Sequence, residues 1–391
     1  MIIRISIKAL LGAVLLAAIS ATGCNGKDNY TSPAQKPSKT DSVSLPPIVA
    51  DTSWPAAGAN AVAAFQDFNT SFLTVSGQYT FYKTALNNTE KDYFWEQALD
   101  IQMVEDYYRT HRTTDVKSLI DNLLQTFLTQ NHGNGGLTDW SWNNYNDDLL
   151  WAGLAFVRGY EIVGKPAYLS QAKYAFDFLY GRGWDDQLGG GIWWDVDHTA
   201  KSGLSNNPAV ILSSYLYRFT GDSAYLVKAK AIYTWIWNTL YDRQSGAVCE
   251  NISAAGILAK DANVYNIGAF VGGANFLHDL TGIQSYADDA KRSIDYVVSN
   301  NAVMHRAAGN TWQSEFARAM GEFLRSNPSY WSTYYTWMKA NAAAAWQCRR
   351  TDLNLMWNDW TAPTRTDETL TANECISAIV MLAVTPDKQP E

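Results

Sequence analysis

Three ten-residue stretches share one frame: GKPAYLSQAK at 164–173, GDSAYLVKAK at 221–230 and GIQSYADDAK at 282–291. Each reads Gly-x3-Tyr-x4-Lys, and the tyrosines Tyr168, Tyr225 and Tyr286 are spaced by 57 and 61 residues. Glycine suits the left-handed position that ends a helix, and a Tyr near the start of the next helix can pack into the seam between the two. A weaker copy stands at Asn327-Pro328-Ser329-Tyr330. A period of this size corresponds to one helix pair with its loops.

Around these joints apolar residues recur at helical spacing. The pattern predicts helices over 56–68, 91–110, 114–131, 146–163, 166–181, 206–220, 222–241, 263–281, 284–300, 311–326, 329–346 and 370–385. No segment shows the sustained alternation of a long strand. Stretches such as 152–159 and 269–274 are rich in small residues, which lets helices approach closely in an inner ring. Their partners, such as 168–180 and 225–240, carry Lys, Arg and Asp on one face, as an outer ring requires. Twelve helices in alternating pairs imply an all-α (α/α)6 toroid; an open solenoid of helix pairs is the alternative that the same local repeat would serve.

The composition narrows the chemistry. The 391 residues are 47% hydrophobic and 17% charged, ample for one large core. A net charge of -8 argues against nucleic acid as a partner. There are 16 Trp and 22 Tyr but only 5 His. So few His disfavour a His-ligated metal centre or a Ser-His hydrolase. Indole rings serve large cores, yet they also stack on the C–H faces of sugars.

At the N-terminus, Arg4 and Lys8 precede an apolar run from Ala9 to Ile19, then Ala21-Thr22-Gly23-Cys24. This is the pattern of a signal peptide over 1–23, and the run is too short for a comfortable membrane span. Small residues directly before a Cys resemble a bacterial lipobox, with Ala21 in place of the usual Leu, so Cys24 is the expected lipidation site. An ordinary signal peptide with an incidental Cys is the alternative. Residues 24–54, rich in Ser, Thr, Pro, Asp and Lys, are expected to form a flexible tether ahead of one catalytic domain over 55–391. The expected location is the cell envelope, lipid-anchored to a bacterial outer membrane, with that anchor as the only membrane contact and the chain a monomer. Cys249, Cys348 and Cys375 match no zinc spacing; one disulfide or buried free thiols would fit.

The links within helix pairs are short and those between pairs are long, and unusual residues collect in the long ones. One runs through Gly133, Gly135 and Gly136 to Trp140-Ser141-Trp142-Asn143-Asn144-Tyr145-Asn146. Another runs through Gly183-Trp184-Asp185-Asp186 to Gly189-Gly190-Gly191-Ile192-Trp193-Trp194-Asp195. In a toroid all long links emerge at one end, and Gly- and Trp-rich loops on one rim suit a glycan cleft. Asp147 and Asp148 lie where the first of these links enters a predicted inner helix. Asp at a helix start is a common cap, complementing the dipole. The rim position adds a chemical reading. A retaining glycosidase needs one ionised carboxylate and one protonated carboxyl roughly 5–5.5 Å apart, a separation that adjacent side chains can reach. Repulsion from the ionised member raises the pKa of the other, which makes a working acid near neutral pH.

Tyr145-Asn146-Asp147-Asp148-Leu149-Leu150-Trp151 resembles glycoside hydrolase family 76, the bacterial endo-α-1,6-mannanases. Gly189-Gly190-Gly191-Ile192-Trp193-Trp194, Asn206-Asn207-Pro208-Ala209 and Val264-Tyr265-Asn266 support the resemblance, which runs from about residue 60 to the end of the chain. It implies an α-mannan polysaccharide or oligosaccharide substrate and a retaining mechanism, with Asp147 matching the nucleophile and Asp148 the general acid/base. Tyr145, Trp193, Asn207, Tyr265 and Asn266, with Trp142, Asn143, Asn146, Trp194 and Asn206 beside them, would line the sugar subsites. No metal or organic cofactor is implied. Two departures bear on the linkage or chain length accepted: Ile267 stands where the family commonly has Gln, and Ser314-Glu315 where it tends to have Lys-Gly.

Two rival functions are a non-catalytic glycan-binding lipoprotein and another (α/α)6 carbohydrate enzyme such as an epimerase. The first does not require adjacent aspartates at a helix start. The second relies on paired His, whereas His111, His132, His198, His278 and His305 are scattered. Asp185, Asp186, Asp195, Asp197 and His198 lack a calcium-loop spacing and are expected to form a solvated loop. Asp288-Asp289 imitates the catalytic pair but is expected to be surface charge on an outer helix.

Overall fold

A computed structural model describes residues 54–391 apart from 57 and 307–311; the signal peptide, Cys24 and nearly all of the tether lie outside the described residues. The helices are α1 (Ala59–Phe72), α2 (Phe94–Thr110), α3 (Thr114–Gln130), α4 (Asn146–Val163), α5 (Pro166–Gly183) and α6 (Gly203–Thr220). They continue as α7 (Ser223–Thr239), α8 (Val264–Thr281), α9 (Gln284–Asn300), α10 (Gln313–Ser326), α11 (Trp331–Gln347) and α12 (Ala372–Val384).

The repeat does what its glycines require. Gly164, Gly221 and Gly282 end α4, α6 and α8 with φ of 85°, 72° and 67°, a left-handed turn that costs a Cβ-bearing residue about 1–2 kcal/mol. At the weaker copy Asn327 has φ -130°, and Pro328–Tyr330 form a single 3-10 turn instead. The repeat tyrosines reach back across the outer ring. Tyr168 donates its phenol to Asp121 of α3, and Tyr225 donates to Asp177 of α5 at 2.9 Å. Tyr334 of α11 likewise donates to Asp295 of α9 at 2.6 Å. The repeat lysine adds to this ladder, Lys173 lying 5.1 Å from the Tyr225 ring.

Each inner helix, α2, α4, α6, α8, α10 and α12, packs on the next, and α12 returns to pack on α2. The ring therefore closes, which decides for the toroid over the open solenoid. Small residues set the spacing: a Cβ on Gly268 of α8 would lie 2.4 Å from the Phe316 backbone nitrogen of α10. An inner helix is covered on all sides, and α4 is buried without interruption from Asn146 to Gly159.

Polar side chains that point to the ring axis pair with one another. Asp106 of α2 accepts from Arg158 of α4 and, at 2.7 Å, from Arg318 of α10; Arg318 also donates to Glu315 at 2.6 Å. Below them, Arg109 bonds Glu322 at 2.8 Å, Tyr215 at 2.9 Å and Glu161 at 3.3 Å. These residues, with Trp54, line a pocket at the C-terminal ends of the inner helices. The long links all lead into inner-helix N-termini at the opposite end.

Within those links stand short strands. β1 (Leu73–Ser76) and β2 (Tyr79–Tyr82) form a hairpin, while β3 (Ala200–Ser202), β4 (Asn251–Ser253) and β5 (Leu258–Ala259) form an antiparallel sheet in that order. Runs of two to four residues are too short for alternation to register in sequence. Two expectations need correction. Asp289 is not surface charge, because its carboxylate accepts from Tyr233 at 2.7 Å and from Trp237 at 3.1 Å, tying α9 to α7. Asp185 and Asp195 are not merely solvated: Asp185 pairs with the buried Lys201, and Asp195 closes a turn onto Thr199. Among the described residues, Cys249, Cys348 and Cys375 are buried thiols outside any disulfide. Among the described residues, no helix is long and apolar enough to cross a membrane, and no cluster of metal-ligating side chains occurs.

Candidate active site

The first turn of α4 presents Asp147 and Asp148 at the open end of the toroid, exposed by only 8% and 6%. The turn is fixed from outside the helix. The Asn146 backbone N–H donates to the Trp194 carbonyl at 2.8 Å, and its side-chain amide donates to the Trp193 carbonyl at 2.7 Å. The Asn146 amide oxygen accepts from Arg182 at 2.7 Å.

The electrostatics of the pair follow from its surroundings. Burial pushes both carboxyls well above the usual range, and for Asp147 the charge of Asp148 adds to it. The Trp194 indole and the backbone amides of the first turn oppose this rise at Asp147. Asp148 rises less, because Asn143 Nδ2 donates to it at 2.9 Å; the neighbouring charge of Glu96 pushes it upward. One Asp147 oxygen accepts no hydrogen bond. In the pair as it stands, negative charge therefore rests more readily on Asp148. Two carboxyls that share one charge under a low local dielectric can supply a nucleophile and a proton donor.

Aromatic walls flank the pair. Tyr145, 41% exposed, packs on Trp194 with ring centres 5.0 Å apart, and Trp142 stands 42% exposed against Phe94. Across the opening, Trp312 meets Trp95 at 5.0 Å and Tyr265 at 4.8 Å, and its indole N–H donates to Asn373 at 3.2 Å. Tyr265 donates its phenol to Glu250 at 2.8 Å, and Asn263 donates to the other Glu250 oxygen at 2.9 Å.

Several residues expected to line sugar subsites serve as scaffold instead. Trp193 is buried, with its indole N–H donated to Asp185 at 2.8 Å and its ring stacked on His198. Asn206 spends its amide on the Ile192 backbone and the Ser202 carbonyl. Asn207 donates to Asn266 at 2.6 Å, and Asn266 donates to the Cys249 carbonyl. With Asn146, these amides lock inner-helix starts to the links before them rather than facing the opening. Asn143 is likewise buried, but its donor goes to Asp148 itself. Conversely, Trp95 and Glu96 of α2, Glu250 of the α7–α8 link, Trp312 before α10 and Asn373 of α12 join this cluster without a sequence signal, because they come from four distant helix starts or links.

A closed helical toroid with a buried carboxylate pair between aromatic walls at its open end defines an (α/α)6 glycoside hydrolase. The sequence profile of glycosyl hydrolase family 76 matches residues 53–390, and the chain belongs to that family. A mannan endo-1,6-alpha-mannosidase of Candida glabrata is 25% identical over 230 residues, 51% of this chain and 51% of its own length, so the chain spans about half of that relative. The alpha-1,6-mannanase of Salegentibacter sp. HEL1_6 matches with a TM-score of 0.73 at 25% identity, covering 83% of this chain and 98% of that one. An inactive variant of that mannanase, with two consecutive aspartates replaced by alanine and in complex with alpha-1,6-mannotetrose, matches with a TM-score of 0.75 at 24% identity, covering 83% and 97%. Family membership decides for a hydrolase over the epimerase and binding-protein readings.

Proposed function

We propose that the chain hydrolyses the α-1,6-linked backbone of mannan with retention of configuration, Asp147 acting as nucleophile and Asp148 as general acid/base. The observation that carries this is the adjacent, buried carboxyl pair at the start of α4 between two aromatic walls. The relatives support the substrate, since both a curated relative and a structural neighbour act on 1,6-linked mannan. The neighbour's loss of activity on replacing two consecutive aspartates supports the pair. In the first step Asp147 attacks the anomeric carbon while Asp148 protonates the departing oxygen; in the second, Asp148 deprotonates the water that releases the sugar. Because Asp148 is the more easily ionised in the pair as it stands, this assignment requires the bound sugar to draw the proton from Asp147 to Asp148. A positive anomeric centre beside Asp147 favours that transfer, because an adjacent opposite charge stabilises the carboxylate.

Residues 1–23 fit a lipoprotein signal peptide and 24–54 a tether, which would hold a monomeric domain over 55–391 on a bacterial outer membrane through Cys24.

Incubation with linear and with branched α-1,6-mannan, following products by NMR, tests the function: α-configured ends appear first, and no release from either polymer refutes it. Azide rescue tests the roles. A Asp148→Ala enzyme given azide yields the α-glycosyl azide, whereas Asp147→Gly yields the β-azide; the opposite pairing reverses the assignment.

A further inference from the structure

The link between α5 and α6 is wound around one cation. Lys201 is completely buried, and its ammonium donates to Asp185 Oδ1 at 2.6 Å and to the carbonyls of Gln187 and Gly190 at 2.7 Å each. The Asp185 carbonyl lies within reach as well, at 3.3 Å, so all three ammonium protons are engaged. Its Nζ also lies 4.8 Å from the centre of the Trp193 ring. The remaining Asp185 oxygen accepts the Trp193 indole N–H at 2.8 Å.

The wound segment is not one that a chain adopts by preference. Leu188 has φ 55°, in the left-handed region that disfavours residues with a Cβ, and Gly189, Gly190 and Gly191 follow with φ of 82°, 115° and 88°. Carbonyls of such a turn converge, and a buried ammonium is the group that satisfies them together. The segment then delivers Trp193 and Trp194, whose carbonyls hold Asn146, and whose second indole packs on Tyr145 beside Asp147.

We propose that Lys201 is a positioning residue for glycoside hydrolysis: its ammonium fixes the 185–190 turn in the shape that seats Trp193 and Trp194 on the start of α4, and so holds in place the first turn that carries Asp147. The role in hydrolysis rests on the reading of Asp147 given above, whereas the mechanical part does not. Lys201 faces Asp185 and, at longer range, Asp186. Asp147 faces Asp148 on its own helix, Trp194 from the link and Tyr265 from α8.

The test compares the parent domain with Lys201→Met, which keeps the apolar stem, and with Asp185→Asn in case the first variant does not fold. Hydrogen exchange followed by mass spectrometry is expected to show faster exchange over 184–201 and the first turn of α4, with α8 and α10 unchanged. On linear α-1,6-mannan, kcat/KM is expected to fall about 10²-fold for Lys201→Met, the cost of a displacement near 1 Å. The acidic limb of its pH profile is expected to move to lower pH, because a loosened first turn lets water reach Asp147 and relieves the burial that raises its carboxyl. A general loss of folded enzyme would scale the profile without moving that limb. Unchanged exchange in both variants overturns the proposal, as does lowered activity with an unmoved limb. A parent inactive on mannan refutes the substrate reading instead, and the exchange data then decide the mechanical claim alone.

Discussion

Asn143 and Asp148, five residues apart, are joined by a 2.9 Å hydrogen bond that spans the turn from the Trp-bearing link into α4. The bond gives the two adjacent carboxyls different surroundings: Asp148 has an amide donor, while the buried Asp147 Oδ1 accepts no hydrogen bond. Replacing Asn143 by Ala removes stabilisation of ionised Asp148, so its pKa rises. The limb of the pH–rate profile that reports Asp148 should move to higher pH, and kcat should fall on the order of tenfold. A profile recorded from pH 4 to 9 checks both.

The buried carboxyl pair also opposes folding at neutral pH. Asp147 and Asp148 are raised to about 8 and about 6, above their unfolded values, so the native state binds more protons than the unfolded chain between those values and about pH 4. Stability is therefore greatest at the acidic end of that window and declines as pH climbs through it. Asp147→Asn should abolish activity yet raise the Tm at pH 8, with the gain vanishing near pH 4. Calorimetry across this range would show it; a variant less stable at pH 8 would contradict the sign.

Asp106 should prove costly to lose. It accepts from both Arg158 and Arg318 inside the ring, where each guanidinium is almost fully buried. Asp106→Ala leaves two buried cations short of a partner, a loss of about 3–5 kcal/mol, measurable by urea unfolding.

Trp312 touches Trp95, Tyr265 and Asn373 and belongs to none of the bonds around the carboxyl pair. Trp312→Ala should raise KM for mannan oligosaccharides about tenfold, a loss near 1.4 kcal/mol, while kcat changes little. An equal fall in kcat would place Trp312 nearer the reacting bond than the wall it forms.

Much of the toroid was legible in sequence because its determinants are local. Gly164, Gly221 and Gly282 end helices where their spacing places them, and the pairing of inner with outer helices follows from composition. Closure was not legible: a solenoid uses the same joints, and only the contact of α12 with α2 separates the two. In the cleft, the Asp pair could be read because both residues stand together at a helix start. Trp193 and Trp194 show the limit. In an extended link successive side chains point opposite ways, so one indole is buried against Lys201 and the other packs on Tyr145. Which is which depends on the turn upstream. Trp95, Trp312 and Asn373 meet from three distant helix starts, and no spacing encodes that meeting.

Closure has a consequence for biogenesis. The last helix is stitched to residues near the beginning: the Leu86 and Asn87 amides donate to the carbonyls of Leu370 and Glu368, and the Ala372 amide donates to Thr84. Joining chain ends so distant carries an entropy cost of roughly 5 kcal/mol, repaid only when α12 docks between α2 and α10. A nascent chain lacking its final residues is thus an unfinished horseshoe with apolar faces exposed at both tips. Such a chain cannot lock into its native shape before α12 has been made, and it stays threadable until then.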